Sequence, residues 1–176
     1  MEAVIQKGKT SKPVIGITIG DINGIGPEVI IKSLRDNRIM SHITPIIFGS
    51  TKVLSFYRKM FNIDDFHYSQ LKSYKDINHR KVNVVNCWPE MVEINVGKVT
   101  QEAGNCAYLA LREAMNYLKE DNIDALVTAP INKKNIQRDD FNFVGHTDFI
   151  TEELGAKDSL MLMVAEELRV GVVTAH

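Results

Sequence analysis

A chain of 176 residues, 44% hydrophobic and 24% charged, carries enough apolar material for one domain with a proper core. Its formal net charge of −1 supplies neither a basic field for nucleic acid nor an acidic tail, so no nucleic-acid partner is expected. No apolar run approaches the ~20 residues of a membrane span, and the leader MEAVIQKGKTSK lacks the apolar centre of a signal peptide. Cys87 and Cys106 form neither a CxxC pair nor a disulfide framework. A cytoplasmic protein with reduced thiols and no membrane partner is the expectation.

Residues 1–12 read as a short polar leader and residues 13–176 as the folded portion. Val14 to Ile19 is a predicted strand, and Gly20-Asp21-Ile22-Asn23-Gly24-Ile25-Gly26-Pro27-Glu28 leads from it into a helical run, Val29 to Leu34. Three glycines in this turn call for a tight bend or a close approach. Pro27 suits a first helical turn and Glu28 complements its positive dipole end. The spacing matches neither the G-x-G-x-x-G fingerprint nor a Walker A loop, and a tight connection explains the glycines equally well.

Ile43 to Phe48 is the second predicted strand, followed by a helix from Thr51 to Phe61 with Leu54, Tyr57 and Phe61 on one side. Residues 62–81 are polar and ambiguous. Lys81 to Asn86 alternates, which predicts a strand nearer a sheet edge. Pro89 to Val99 is an irregular connection ending in Gly97-Lys98, and Thr100 is placed to cap a long helix to Lys119. The helix stripe Ala103, Ala107, Ala110, Leu111, Ala114 and Leu118 is small-residue packing against a sheet.

Ala125-Leu126-Val127-Thr128-Ala129 is a continuous apolar run, as for a parallel strand buried on both faces and stopped by Pro130. The polar stretch Ile131 to Phe143 is then expected at the carboxyl edge of the sheet, where open α/β folds bind ligands. Gly145-His146-Thr147 leads into a short helix from Asp148 to Leu154, whose free N–H groups suit an anion. Taken singly, Lys133 and Lys134 read as solvated surface, His146 as a turn histidine and Thr147 as an N-cap. Ser159 to Ala165 and Leu168 to His176 are two strands joined at Glu166-Glu167, a connection short enough to require an antiparallel pair, which predicts a mixed, mostly parallel sheet. The final histidine at a strand tip suggests the first half of a longer protein, although a strand-end histidine alone is more often structural than a ligand.

Four segments together are far more specific than any one of them: VIGITIGDINGIGPE (Val14 to Glu28), DALVTAPINK (Asp124 to Lys133), FVGHTDF (Phe143 to Phe149) and LRVGVVTAH (Leu168 to His176). In order and spacing they resemble the 4-hydroxythreonine-4-phosphate dehydrogenase family of pyridoxal phosphate biosynthesis. The resemblance runs from Lys12 onward and covers about the first half of the family's length. Ile22-Asn23 departs from it, standing where the family commonly has a proline and a small residue; the same turn with altered rigidity is expected.

The resemblance implies a three-layer αβα fold like isocitrate and isopropylmalate dehydrogenases. It implies an NAD- or NADP-dependent oxidation of 4-phosphooxy-L-threonine at its hydroxyl carbon. The 3-oxo acid then loses carbon dioxide to give 3-amino-2-oxopropyl phosphate. His146 and Thr147 match the family's substrate-binding pair, and His176 the first of three metal-ligand histidines shared across a homodimer. The implied divalent metal is zinc, cobalt or magnesium, imidazole ligation favouring zinc and cobalt. Lys133 is placed near the substrate anion as a hypothesis, while Asp21 and Glu28 have no assigned role. Alternative substrates are 4-phospho-threonate and 4-phospho-erythronate; a different class is phosphotransacetylase-like acyl transfer. The 176 residues alone are expected to be inactive.

Overall fold

A computed structural model describes residues 12–89, 91–139 and 141–173. The leader expectation for residues 1–11 and the metal-ligand expectation for His176 lie outside the described residues. Lys12 is described, and its ammonium donates to the carbonyls of Met40 and His79.

The described chain divides into two units, up to Phe141 and from Asn142. The first is built on a five-stranded sheet in the order β3-β4-β2-β1-β5, with every pairing parallel. Its strands are β1 (Val14–Thr18), β2 (Thr44–Gly49), β3 (Tyr68–Leu71), β4 (Val82–Asn86) and β5 (Ala125–Thr128). Three helices cross between them: α1 (Gly26–Leu34), α2 (Thr51–Met60) and α3 (Gln101–Lys119).

Topology places these helices. From β1 the chain steps through β2 towards β4 in one direction, then returns from β4 past β1 to β5 in the other. Parallel crossovers are right-handed, so this reversal puts α1 and α2 on one face and α3 on the opposite face. The three-layer αβα arrangement follows. The reversal falls at β1 and β5, and the carboxyl end of such a switch point is a natural ligand crevice.

Local sequence explains each element. Pro27 sits in the first turn of α1, and Glu28 pairs with Lys32 one turn on. Ser50 caps α2 by accepting from the Lys52 N–H at 3.2 Å. Thr100 caps α3 by accepting from Ala103 N–H at 3.2 Å, as its position predicts. The alanine stripe of α3 is buried, and Phe48 of β2 meets Tyr117 edge-on at 5.0 Å. The core is completed by Ile46 and Ile47 of β2, Leu54 and Tyr57 of α2 and Val84 of β4, all buried.

Two expectations about strands are corrected. β4 is internal, not near an edge: it lies between β3 and β2 and is buried along most of its length. Its alternation arises from Asn83, a buried side chain that donates to the carbonyls of Pro45, Asn78 and Lys81 and accepts from the Asn78 N–H. The edge on that side is β3, formed within the ambiguous stretch 62–81. β5 is not buried on both faces. Among the described residues it is the other edge of the sheet, with Ala125 and Val127 exposed.

In the second unit, α4 (His146–Glu153) is followed by an antiparallel hairpin of β6 (Met161–Ala165) and β7 (Leu168–Val172). The predicted pairing is present, but the hairpin is a two-stranded sheet of its own and does not make the five-stranded sheet mixed. Leu162, Met163, Val164 and Leu168 of the hairpin are exposed. Among the described residues, no helix is long and apolar enough to cross a membrane.

Candidate functional site

The carboxyl ends of β1 and β5 are bound together by loops. Gly20 follows β1 at φ +71°, and a side chain there would press into the Pro130 carbonyl. That close approach lets the Asp21 N–H donate to Pro130 O at 2.9 Å, joining the turn after β1 to the loop after β5. Gly20 therefore serves backbone contact between two loops, a role the spacing alone left open.

Asp21 is buried beside this junction. One carboxylate oxygen accepts from the Asn23 N–H at 2.8 Å, and the other faces the Asn135 amide nitrogen at 3.5 Å. Asn135, also buried, donates from the same nitrogen to Thr100 O at 2.9 Å. Among the described residues, its buried amide oxygen has no hydrogen-bond partner, and neither has the Thr18 hydroxyl.

Asn23, at the position where the motif departs from the family it resembles, ties the rim to the 95–100 segment. Its amide donates to Lys98 O and Thr100 Oγ1, each at 3.0 Å, and accepts from the Asn95 N–H at 2.8 Å. Its backbone carbonyl accepts from Gly97 N–H at 2.8 Å. Ile22 is fully buried, and its carbonyl accepts from the Tyr57 hydroxyl at 2.7 Å. The turn is thus held by tertiary bonds to the 95–100 segment where a proline would have held it by restricting φ. Sequence reasoning noted the substitution and missed these partners; a polar residue of turn type inside an otherwise apolar motif was the available signal.

The loop after β5 carries Lys133 and Lys134, both exposed. Asn132 Oδ1 accepts from the Lys134 and Asn135 N–H groups at 2.9 and 3.4 Å, closing a turn around Lys133. Beyond it, Phe141 is buried edge-on against Tyr108 of α3, and the Arg138 guanidinium lies 4.5 Å from that ring's centre. The rim at β1 and β5 thus gathers the Asp21 turn, the start of α3 and the lysine-bearing loop, as expected for the stretch after Pro130. Glu28 stands apart in its surface pair with Lys32.

A cavity of about 430 Å³ opens elsewhere, at the ends of β2 and β4, lined by Ser50, Thr51, Gln70, Asn86 and Trp88 among others. The α2 start there is already satisfied by Ser50 and by Asn86, whose side-chain oxygen accepts from the Thr51 N–H at 2.8 Å. Cys87 and Cys106 are free, and burial pushes both thiols upward, Cys106 to about 12 with Glu102 and Asp21 adding to the effect. Neither is a nucleophile at neutral pH.

In the second unit, His146 opens α4 and Thr147 is its second residue, so Thr147 is not the cap; Gly145 is, with extended backbone and no side-chain bond. His146 is half-buried and Thr147 exposed, and Thr147 O accepts from the Thr151 hydroxyl at 2.7 Å. Phe149 is buried and meets Phe143 edge-on at 5.3 Å. Among the described residues, no three His, Cys, Asp or Glu side chains are grouped to hold a metal ion.

The chain is an open α/β domain with parallel strands and flanking helices, and in this class of fold ligands bind at the carboxyl rim of the sheet. The chain belongs to the pyridoxal phosphate biosynthetic protein PdxA family, whose model matches residues 41–176. A 4-hydroxythreonine-4-phosphate dehydrogenase of Bacteroides thetaiotaomicron is 42% identical over 163 residues, covering 92% of this chain and 44% of that protein. A relative from Oceanobacillus iheyensis, whose name proposes a D-threonate 4-phosphate dehydrogenase, is 33% identical over 169 residues, covering 95% of this chain and 51% of that one. The crystal structure of a 4-hydroxythreonine-4-phosphate dehydrogenase from Burkholderia phymatum superposes with a TM-score of 0.83 at 27% identity, covering 94% of this chain and 50% of that one. The chain spans about half the length of the curated relatives it matches.

Proposed function

We propose that the chain contributes to an NAD- or NADP-dependent dehydrogenase that oxidises 4-phosphooxy-L-threonine to its 3-oxo acid, which then decarboxylates to 3-amino-2-oxopropyl phosphate. The observation that carries this reading is the 42% identity to the Bacteroides thetaiotaomicron enzyme across 92% of the chain. Turnover is assigned to a protein that also has the second half found in the relatives, working as a cytoplasmic homodimer with a shared active site. These 176 residues alone are proposed to be inactive.

The chain's own residues bind and orient. At the start of α4 the backbone N–H groups lack intrahelical acceptors. With the His146 ring and the Thr147 hydroxyl they form a donor set for anionic oxygen. Lys133, exposed on the loop after β5, is proposed separately as a cation for a phosphate at the rim of the first unit. A nicotinamide cofactor, when bound, would accept the hydride from the hydroxyl carbon as the hydroxyl proton is released; loss of carbon dioxide would then break the bond to the carboxyl carbon and leave its electron pair on the adjacent carbon, which takes up a proton. A divalent cation, when bound, would acidify that hydroxyl. His176 is the one ligand proposed from this chain.

The relative named for D-threonate 4-phosphate favours a second reading in the same reaction class, with a hydroxyl in place of the substrate's amino group. Turnover of the two phosphates, compared side by side on the complete protein, decides between them. Coenzyme A-dependent acyl transfer to phosphate with no reduction of NAD or NADP would overturn both. His146→Ala is expected to lower kcat/KM by about tenfold or more while leaving metal content intact. His176→Ala is expected to lose bound metal, read by elemental analysis, while the fold persists by circular dichroism. Unchanged metal content in the second variant would remove His176 from the ligand set.

A further inference from the structure

Lys133 sits on a short turn whose two ends are fixed to different elements. At one end, Pro130 O is held by the Asp21 N–H. At the other, Asn135 is held three ways: its amide donates to Thr100 O at 2.9 Å and faces Asp21 Oδ2 at 3.5 Å, and its carbonyl accepts from the Gln101 amide at 3.4 Å. Gly104 of α3 lies against the same peptide, where any side chain would collide with the Asn135 carbonyl. Between these anchors, Asn132 closes the turn and the lysine is exposed.

Asn135 is an expensive residue for a spacer. It is only 5% exposed, yet among the described residues its amide oxygen has no hydrogen-bond partner. A buried polar atom left unmade is destabilising, and an apolar side chain in its place would avoid that cost. What an asparagine offers here is a donor fixing the loop to the α3 cap and to the Asp21 turn together.

We propose that Asn135 is a positioning residue for Lys133, setting the place of the lysine ammonium at the rim so that it meets the phosphate of a phosphorylated substrate. This rests on the anion-binding reading of Lys133 above. Pre-organisation of this kind raises affinity by removing the ordering cost of the loop backbone that carries the lysine.

The test is a double-mutant cycle on the complete protein, with Asn135→Ala, Lys133→Ala and the pair. Two readouts are taken: KM and kcat on 4-phosphooxy-L-threonine, and calorimetric affinity for inorganic phosphate. Lys133→Ala is expected to weaken phosphate affinity and raise KM by about tenfold, and Asn135→Ala to do so by several-fold, with kcat changing less. The pair is expected to be no worse than Lys133→Ala alone, since a residue acting through Lys133 has nothing left to position. Equal losses from Asn135→Ala with and without Lys133 would overturn the proposal, because a purely structural role adds. So would a harmless Lys133→Ala in an enzyme that turns over normally, which leaves the dehydrogenase reading standing. Coupled loss of phosphate affinity without any dehydrogenation would do the opposite: the reaction falls and the positioning role holds. Absence of both binding and turnover ends both. Should Asn135→Ala fail to fold, Gln101→Ala takes its place, removing one anchor from an exposed side chain with a smaller effect in the same direction.

Discussion

At the scale of single residues, the rim is governed by side chains that bond to backbone. Thr100 is the clearest case, because one hydroxyl oxygen accepts from the Ala103 N–H and from the Asn23 amide. Losing a cap alone costs about 1 kcal/mol, and leaving the buried Asn23 amide short of a partner adds to it. Thr100→Ala is therefore expected to lower unfolding free energy by about 2 kcal/mol in chemical denaturation, and Thr100→Ser to restore most of it. The cap was legible in sequence, since a threonine precedes a long periodic run. Its second bond was not, because Asn23 lies 77 positions away and nothing local announces the pair. The same limit hid Asn135, which reads as one more polar residue in a polar loop. A further residue-scale expectation concerns Cys106. With its thiol pushed up to about 12, chiefly by burial and then by Glu102 and Asp21, the neutral form persists through alkaline pH. Alkylation of the folded protein at about pH 8, near the ordinary thiol range, should leave Cys106 unlabelled, and rapid labelling there would contradict its buried placement.

At the scale of elements, α3 is the part on which the site depends. It carries the cap that joins Asn23, the ring that receives Phe141 and the glycine that admits the Asn135 peptide. The small-residue stripe predicted close approach to a sheet, and the alanines do pack on the core. Gly104 serves a different neighbour, the loop after β5. A methyl group there has backbone in its way instead of a flexible side-chain end, so the loop or the helix must move. Gly104→Ala is expected to cost about 1–3 kcal/mol, the range for overpacking, and to weaken phosphate binding along with it. Retained stability with unchanged affinity would show that the helix and loop are less tightly apposed than the structure has them. Strand order was the less legible part at this scale. Alternation in β4 is the signature of a half-exposed strand, yet here it records a buried asparagine feeding three carbonyls. The apolar run of β5 is the signature of a strand covered on both faces, yet it forms an edge. Periodicity reports the chemistry of a strand's two faces; it carries no direct record of which strands lie beside it.

At the scale of the molecule, the two units differ in what holds them. The first buries a continuous core around β1, β2 and β4, with Ile46, Ile47, Phe48, Leu54 and Val84 almost fully excluded from solvent. In the second, the strand residues of β6 and β7 are exposed almost throughout, and among the described residues only Phe149 of α4 is buried. An isolated two-stranded hairpin is marginal in water, since its ladder bonds are not backed by apolar burial. Local opening free energy follows burial, so amide exchange should divide the 176-residue chain accordingly. Amides of β1, β2 and β4 are expected to exchange only through global unfolding, and those of β6 and β7 to exchange roughly a hundredfold faster or more. Protection of the hairpin equal to that of β2 would mean that its apolar residues are covered in solution. The same measurement with inorganic phosphate added joins this scale to the first. A ligand held at the rim stabilises the state that binds it by mass action, so slower exchange in residues 130–136 and at the start of α3, with the hairpin unchanged, is the pattern expected if the lysine-bearing loop takes up the anion.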